Sequence, residues 1–145
     1  MKNLYLISLL CISTGVIAQE NTLIYTTADI WPTYPQGNKA LYTFICTNQN
    51  VSVEAIPSEK NKNIVFVRFV VEKDGSLSGH KVMRGINQTC DAEALRITKL
   101  LSKWNPGGTI RFNKFQPLRM YMTIAVKFFR NFSDCEASYY QLITN

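Results

Sequence analysis

The sequence predicts a single α+β domain built on a three-stranded antiparallel sheet, with two helices packed on one face of it. Residues 64–72 alternate as a strand does, Asp74-Gly75 supplies a hairpin turn, and a stretch with helical periodicity precedes a last apolar strand. The length of 145 residues fits one domain, and 46% hydrophobic with 18% charged residues is typical of a folded chain. The apolar runs are too short for a multi-spanning membrane protein.

The first 18 residues are predicted to be a secretory signal peptide. Lys2 gives a positive start, residues 4–18 form an apolar stretch, and cleavage is expected after Ala18. The alternative is an uncleaved inner-membrane anchor through residues 4–18, although a span needs about 20 apolar residues. We therefore expect an exported, periplasmic protein whose residues 19–33 form an N-terminal extension.

The first helix is predicted over residues 39–47, where Leu41, Phe44 and Ile45 recur at helical spacing. The polar residues that follow, 48–63, are interpreted as a loop.

Two strands joined by a hairpin are predicted next. Residues 64–72 alternate β-branched and aromatic side chains between two faces, and residues 77–86 return as a weaker second strand. Asp74-Gly75 suits the positive φ that a tight turn needs, so its role is interpreted as conformational rather than metal-binding.

A second helix is predicted to begin near Asp91, which can cap it, while Glu93 in the first turn complements the helix dipole. Its apolar stripe runs along Ala94, Ile97, Leu101 and Trp104, which makes Trp104 a predicted core residue. Pro106-Gly107 is expected to stop the helix.

The last strand is predicted over residues 120–128, whose side chains again alternate between two faces. The helix before it returns the chain, so in an antiparallel sheet this third strand must flank the first, giving the order 2-1-3. The third strand is then an edge without charge or proline between residues 120 and 126. We expect either a partner or the C-terminal tail to cover it.

The exported chain retains three cysteines, so one disulfide and one free thiol are expected. The pair is two of Cys46, Cys90 and Cys135, and the sequence leaves open which two. Cys90 also precedes the predicted second helix, where a thiol pKa is lowered, so a small thiol-redox protein is kept as an alternative.

No constellation of residues indicates catalysis, a metal or a cofactor. His80 is alone and is expected at the surface, and capping chemistry explains Asp91 and Glu93 better than a carboxylate pair does. We predict a non-enzymatic protein without cofactor, nucleic-acid partner or small-molecule substrate.

The net charge of +6 comes from cations spread along the chain, which is weak evidence for any one patch. A basic patch for anionic lipid or polysaccharide would draw on Lys60, Lys62, Arg111, Lys114 and Arg119.

Four motifs in order carry a family resemblance. They are residues 69–78 around the hairpin, Cys90-Asp91-Ala92-Glu93-Ala94-Leu95-Arg96, Lys103-Trp104-Asn105-Pro106-Gly107, and the strand ending at Phe128. Together with Tyr34-Pro35 and Ile56-Pro57 upstream, they resemble a TonB C-terminal domain. The resemblance covers residues 34–129 and leaves residues 130–145 as a C-terminal tail.

The resemblance implies a protein-binding domain that takes part in TonB-dependent transmembrane transport by β-augmentation. A peptide from an outer-membrane transporter, or another envelope protein, would pair with the third strand. The chain departs from the family in lacking its membrane helix and long Pro-rich linker, so a dimerising envelope module without energy coupling is the main alternative. The family's glycine-containing turn before the last strand is also replaced by residues 113–117. The predicted partner edge comprises Arg119, Met120, Tyr121, Met122, Thr123, Ile124, Ala125 and Val126.

Overall fold

The structure is a computed structural model that describes residues 23–59, 62–101, 103–131 and 133–135. The predicted signal peptide lies outside the described residues. Among those described, none of the helices has the length and apolar character needed to cross a membrane. The elements in chain order are α1 (Gly37–Thr47), a short 3-10 helix (Val53–Ala55), β1 (Ile64–Val71), β2 (Leu77–Arg84), α2 (Gln88–Lys99), β3 (Gly108–Arg111), β4 (Lys114–Pro117) and β5 (Met120–Lys127).

The main sheet has three antiparallel strands in the order β2-β1-β5, which confirms the predicted order 2-1-3. Its centre is β1, where Val65, Val67, Phe69 and Val71 are all fully buried on one face. This strand takes the central place because both of its backbone edges are paired and its alternating apolar side chains form one wall of the core.

Both helices contribute to the single core on that face of the sheet. Leu41 and Ile45 from α1 and Ala94 and Ile97 from α2 belong to the same buried cluster as the alternate side chains of β1. The predicted α+β class, with helices on one face, is confirmed. The burial is what holds these short helices, because helices of 11 and 12 residues are marginal on their own.

The predicted extent of the second helix was wrong at both ends. Its N-cap is Asn87, whose side-chain oxygen accepts from the Cys90 N–H at 2.9 Å, whereas Asp91 accepts from the Ile86 N–H. The helix ends at Lys99, so Trp104 lies outside it. The backbone N–H of Trp104 donates instead to the Gly75 carbonyl at 2.8 Å. Trp104 is nevertheless buried, because the chain after the helix packs it onto the core.

A second, two-stranded sheet was missed by the sequence interpretation. Strands β3 and β4 form a hairpin closed by Phe112 and Asn113, both with positive φ, 50° and 59°. A two-residue turn of this kind is usually marked by Asn-Gly or Asp-Gly. The Phe-Asn pair gives no such signal, which is why residues 108–117 were not predicted as strands.

Candidate peptide-binding edge

The outer edge of β5 is the candidate functional site, and the hydrogen bonds of Tyr121 fix its orientation. The Tyr121 N–H donates to the Tyr25 carbonyl at 3.0 Å, so the backbone groups of Tyr121 point away from β1. Strand β5 pairs with β1 in continuous register from Met120 to Lys127. Because antiparallel strands alternate inward and outward backbone groups, Thr123 and Ala125 also present their N–H and C=O groups to the outer edge.

The N-terminal extension occupies the beginning of this edge. Tyr25 forms a parallel bridge opposite Met120, and its N–H donates to the Arg119 carbonyl at 2.8 Å. The expectation of an edge open from Arg119 onward is therefore corrected, since the extension is what covers its first residues. Within the described part of the chain, the outward backbone groups of Thr123 and Ala125 have no partner.

A cavity of about 400 Å³ opens beside the unpaired part of the edge. Its inner wall is β5 itself, from Met122 to Ala125. Its opposite wall comes from the N-terminal extension and α1, through Pro32, Tyr34, Leu41 and Tyr42, with Trp104 also lining it. An extended chain paired to Thr123 and Ala125 would direct alternate side chains to the helix side of the sheet, where this cavity lies.

Two aromatic contacts hold Trp104 in the cavity wall. Its ring packs edge-on against Tyr34, with centroids 5.8 Å apart, and against Phe69 at 5.4 Å. Gly75 approaches so closely that a Cβ there would lie 2.1 Å from the Trp104 carbonyl oxygen. This contact, and its φ of +82°, explain why the hairpin turn needs glycine at this position.

Pro106 and Gly107 continue the same rigid segment after Trp104. A Cβ on Gly107 would lie 2.5 Å from the Met120 sulfur and 2.6 Å from Pro32. The segment is thus packed between the extension and the start of β5, and Asn105 next to it exchanges backbone hydrogen bonds with Thr33. The predicted structural role of these residues agrees with this packing.

Charged side chains stabilise the covered end of the edge. The Arg119 guanidinium donates to the Glu72 carboxylate at 2.6 Å, with both side chains about one quarter exposed. This contact holds the pKa of Glu72 below its ordinary value, against the opposing effect of burial. On the outer face of the sheet, Arg68 lies 4.5 Å from the centre of the Tyr121 ring.

His80 was expected at the surface and lies instead half-buried on β2. Its ring packs against Phe69 at a centroid distance of 5.4 Å, and Nε2 is 3.2 Å from the Thr98 carbonyl oxygen. Burial lowers its pKa. Its contacts join β2 to α2, so the residue has a structural explanation.

The acidic residues named as capping or catalytic candidates also have structural partners. Asp74 accepts from the backbone and hydroxyl groups of Ser76, which shapes the turn. Glu93 is buried rather than placed at the helix terminus. It accepts from the Asn50 N–H at 2.7 Å and pairs with Arg96, which lowers its pKa. The predicted dipole role of Glu93 was wrong, because its carboxylate fastens the loop after α1 to α2.

The disulfide joins Cys46 at the end of α1 to Cys135, and Cys90 is left as the free thiol. One disulfide among three candidates was predicted, and the tertiary structure identifies the pair. Burial raises the pKa of the Cys90 thiol, opposite to the lowering expected at a helix N-terminus. A disulfide is typical of proteins in oxidising compartments.

The described residues contain no group of three or more His, Cys, Asp or Glu side chains placed to hold a metal ion. Comparison with protein-family models, curated proteins and solved structures gives no match to this chain. The class of site is therefore defined by geometry alone: an incompletely paired strand edge beside a side-chain cavity. The sequence indicated the edge but not the cavity, whose opposite wall comes from Pro32, Tyr34 and α1; the aromatic and proline residues at 31–35 were the only local signal.

Proposed function

We propose that this chain is an exported protein-binding domain that receives an extended peptide by β-augmentation at β5. The proposal rests on one observation: among the described residues, the outward backbone groups of Thr123 and Ala125 have no partner, and they lie next to the cavity. Unpaired strand edges are normally protected, and this one has neither charge nor bulge between Met122 and Val126.

Backbone pairing supplies part of the affinity and the cavity supplies selectivity. Thr123 and Ala125 offer two N–H donors and two carbonyl acceptors, each hydrogen bond contributing about 1 kcal/mol net. The cavity wall formed by Tyr34, Leu41 and Trp104 favours a large apolar side chain on the added strand. A short pairing of this kind suits a weak, reversible complex.

The resemblance to TonB C-terminal domains supports a partner of one kind, the N-terminal peptide of an outer-membrane TonB-dependent transporter. In this proposal the protein acts in the periplasm after cleavage of residues 1–18, and it takes part in transport across the outer membrane.

The alternative is a structural envelope module in which β5 pairs with β5 of a second copy. Two such edges can meet without a transporter peptide, since antiparallel pairing of identical strands is self-complementary. The thiol-redox alternative is weakened by Cys90, which is fully buried and has a raised pKa.

The test captures partners from an envelope extract on immobilised residues 19–145, with mass spectrometry of the retained proteins. We expect transporters that are released by synthetic peptides copied from their own N-termini. Thr123→Pro removes one outward donor and blocks the edge, so capture should fall at least about tenfold. Thr123→Val, which keeps the N–H, is the matched control and should bind as the unchanged protein does.

Two outcomes would contradict the transporter proposal. If Thr123→Pro retains the same proteins as Thr123→Val, the edge is not the binding site. If light scattering shows a dimer that Thr123→Pro converts to a monomer, and no peptide competes for the edge, the dimerising module is the better explanation.

A further inference from the structure

The tip of the β3–β4 hairpin carries features that work against the stability of the fold. Phe112 is 97% exposed and has a φ of 50°, a region that bulky L-residues rarely adopt. Arg111 and Lys114 stand directly opposite each other, where like charges repel. Local strain and repulsion without a packing benefit are typical of positions selected for contact with something outside the fold.

One face of the hairpin is apolar. Ile110 and Phe115 are a directly opposed pair and are 54% and 45% exposed. Ile30 lies opposite Gly108 in an antiparallel bridge, so it shares their face, and it is 42% exposed. The Phe115 ring covers Gly108, where an added Cβ would lie 2.7 Å from the ring. The Phe115 ring thus lies against the Gly108 backbone, although nearly half of the residue remains exposed.

The other face of the tip is basic. Arg111 and Lys114 occupy it because they alternate with the apolar residues along each strand. The carboxylate of Asp29 lies at the base of the hairpin, where it accepts from the Thr109 hydroxyl and the Ile110 N–H. Those hydrogen bonds lower the pKa of Asp29 and fasten the hairpin to the N-terminal extension.

The base of the hairpin is also fixed through its backbone. Ile30 and Gly108 exchange two hydrogen bonds, of 3.0 and 2.9 Å. The hairpin is thus held at one end and projects its apolar and basic side chains at the other.

We propose that this hairpin tip docks on an anionic lipid surface. Phe112, Ile110 and Phe115 would enter the boundary between headgroups and acyl chains, where amphipathic elements bind. Arg111 and Lys114 have long side chains that reach back to the headgroups, and each cation near an anionic surface adds to the attraction. Charge complementarity favours anionic lipid over a zwitterionic surface. The tip uses no residue of β5, so lipid and peptide can be tested independently.

Two of the other cations considered in the sequence have carboxylate partners of their own. Arg119 is paired with Glu72 and Lys62 with Glu59, while Lys60 lies outside the described residues. Arg111 and Lys114 therefore carry the electrostatic part of the proposal.

The test is co-sedimentation of residues 19–145 with vesicles, because residues 4–18 would bind lipid on their own. Vesicles of equal parts phosphatidylethanolamine and phosphatidylglycerol are compared with vesicles of phosphatidylcholine alone. We expect binding to the anionic vesicles only, weakened by added salt. Replacing Arg111 and Lys114 by Gln should lower the partition coefficient about fivefold for each cation removed.

Phe112→Gly separates docking from folding. Glycine adopts a positive φ without the strain that phenylalanine has there, so thermal stability should stay the same or rise. Vesicle binding should fall about fivefold or more. The matched control is Lys81→Gln with Met83→Ser, which removes an exposed cation and an exposed apolar residue from β2. That variant should bind vesicles as the unchanged protein does.

Three results would overturn the proposal. The first is equal binding to both vesicle types, and the second is unchanged vesicle binding after Phe112→Gly. The third is an equal loss of vesicle binding in the hairpin variants and in the β2 control variant. If Phe112→Gly instead abolishes a dimer seen by light scattering while vesicle binding is absent, the tip is a contact between copies of the chain and the lipid proposal is wrong.

Discussion

Along the outer strand β2 the register with β1 shifts twice, whereas β5 on the opposite edge pairs with β1 residue for residue over its whole length. Gly79 adopts a φ of +62° at one of the irregularities, and Lys81 and Arg84 are exposed. Bulges and cations are the usual means by which an edge is protected from pairing with another chain.

Strand β5 has neither kind of protection between Met122 and Val126. Its first end is covered by Tyr25, and the next two outward positions stand beside a cavity. The two edges of the same sheet therefore differ in protection, and this difference favours the proposal that an added strand pairs with β5 rather than with β2.

The largest expected effect on the free energy of unfolding is the difference between two proline substitutions at neighbouring positions of β5. By the alternation of the ladder, the Met122 N–H faces β1 and the Thr123 N–H faces outward. Met122→Pro should therefore lower the free energy of unfolding by roughly 2–3 kcal/mol or more, and Thr123→Pro by less than half as much. Urea denaturation of both variants is the measurement, and equal losses would contradict the assigned orientation of the strand.

The disulfide ties the chain after β5 to α1, and it should be the next most important feature. Cys46 and Cys135 are 89 residues apart, so replacing both by Ser should lower the free energy of unfolding by about 2–4 kcal/mol. The unchanged protein under reductant should match the variant. An unchanged urea midpoint in both would mean that the bridge contributes nothing to the β5 side of the fold.

The Glu72–Arg119 pair at the covered end of β5 should make stability depend on pH. The pKa of Glu72 is lowered from 4.5 in the fold, so the pair stabilises fully above that value, and its contribution is lost as pH falls below it. Glu72→Gln should remove about 1 kcal/mol at neutral pH and flatten the acid limb of the stability profile.

Glu59→Gln is the control for this pair, because Glu59 and its partner Lys62 form an ion pair whose side chains are both largely exposed. Its cost should stay within about 0.5 kcal/mol. If both variants show the same acid profile as the unchanged protein, Glu72 is not an important source of the pH dependence.

The last expected effect, no larger than that of Glu72→Gln, is at the bulge of β2. Gly79→Ala adds a Cβ with ordinary space, 3.6 Å from Val70, but forces alanine into a left-handed conformation. We expect a loss of about 1 kcal/mol, and a smaller loss for Gly79→Asn, since asparagine tolerates that region better. The measurement is the melting temperature of the two variants. A higher melting temperature for Gly79→Ala than for Gly79→Asn would argue against a left-handed conformation at the bulge.

The sequence predicted the main sheet well because its strongest patterns are local. The alternation over β1, the Asp74-Gly75 turn and the last apolar strand each lie within a few residues, and the helix before β5 limits the strand order to one arrangement. The same local rules failed for the role of Glu93 and for the placement of Trp104 in the second helix, although Trp104 is buried as predicted. The hydrogen bond from the Asn50 N–H to Glu93 and the one from the backbone N–H of Trp104 to the Gly75 carbonyl determine those two positions. Both join segments that are distant in the chain.

The candidate site divides in the same way. The absence of charge from residues 120–126 marked the edge in the sequence, but its length was set by Tyr25, almost a hundred residues earlier. The hairpin turn at Phe112-Asn113 escaped prediction because its positive φ values are imposed without glycine.

By itself, the sequence determined the fold class, the strand order and the presence of one disulfide among three cysteines. These follow from the hydrophobic periodicity and from the number of cysteines, which can be determined without knowing which residues are in contact. The tertiary structure alone decided the pairing of Cys46 with Cys135, the cavity beside β5 and the attachment of the β3–β4 hairpin to the N-terminal extension. Each of these depends on contacts between segments far apart in the chain, and such contacts leave no periodic trace in either segment.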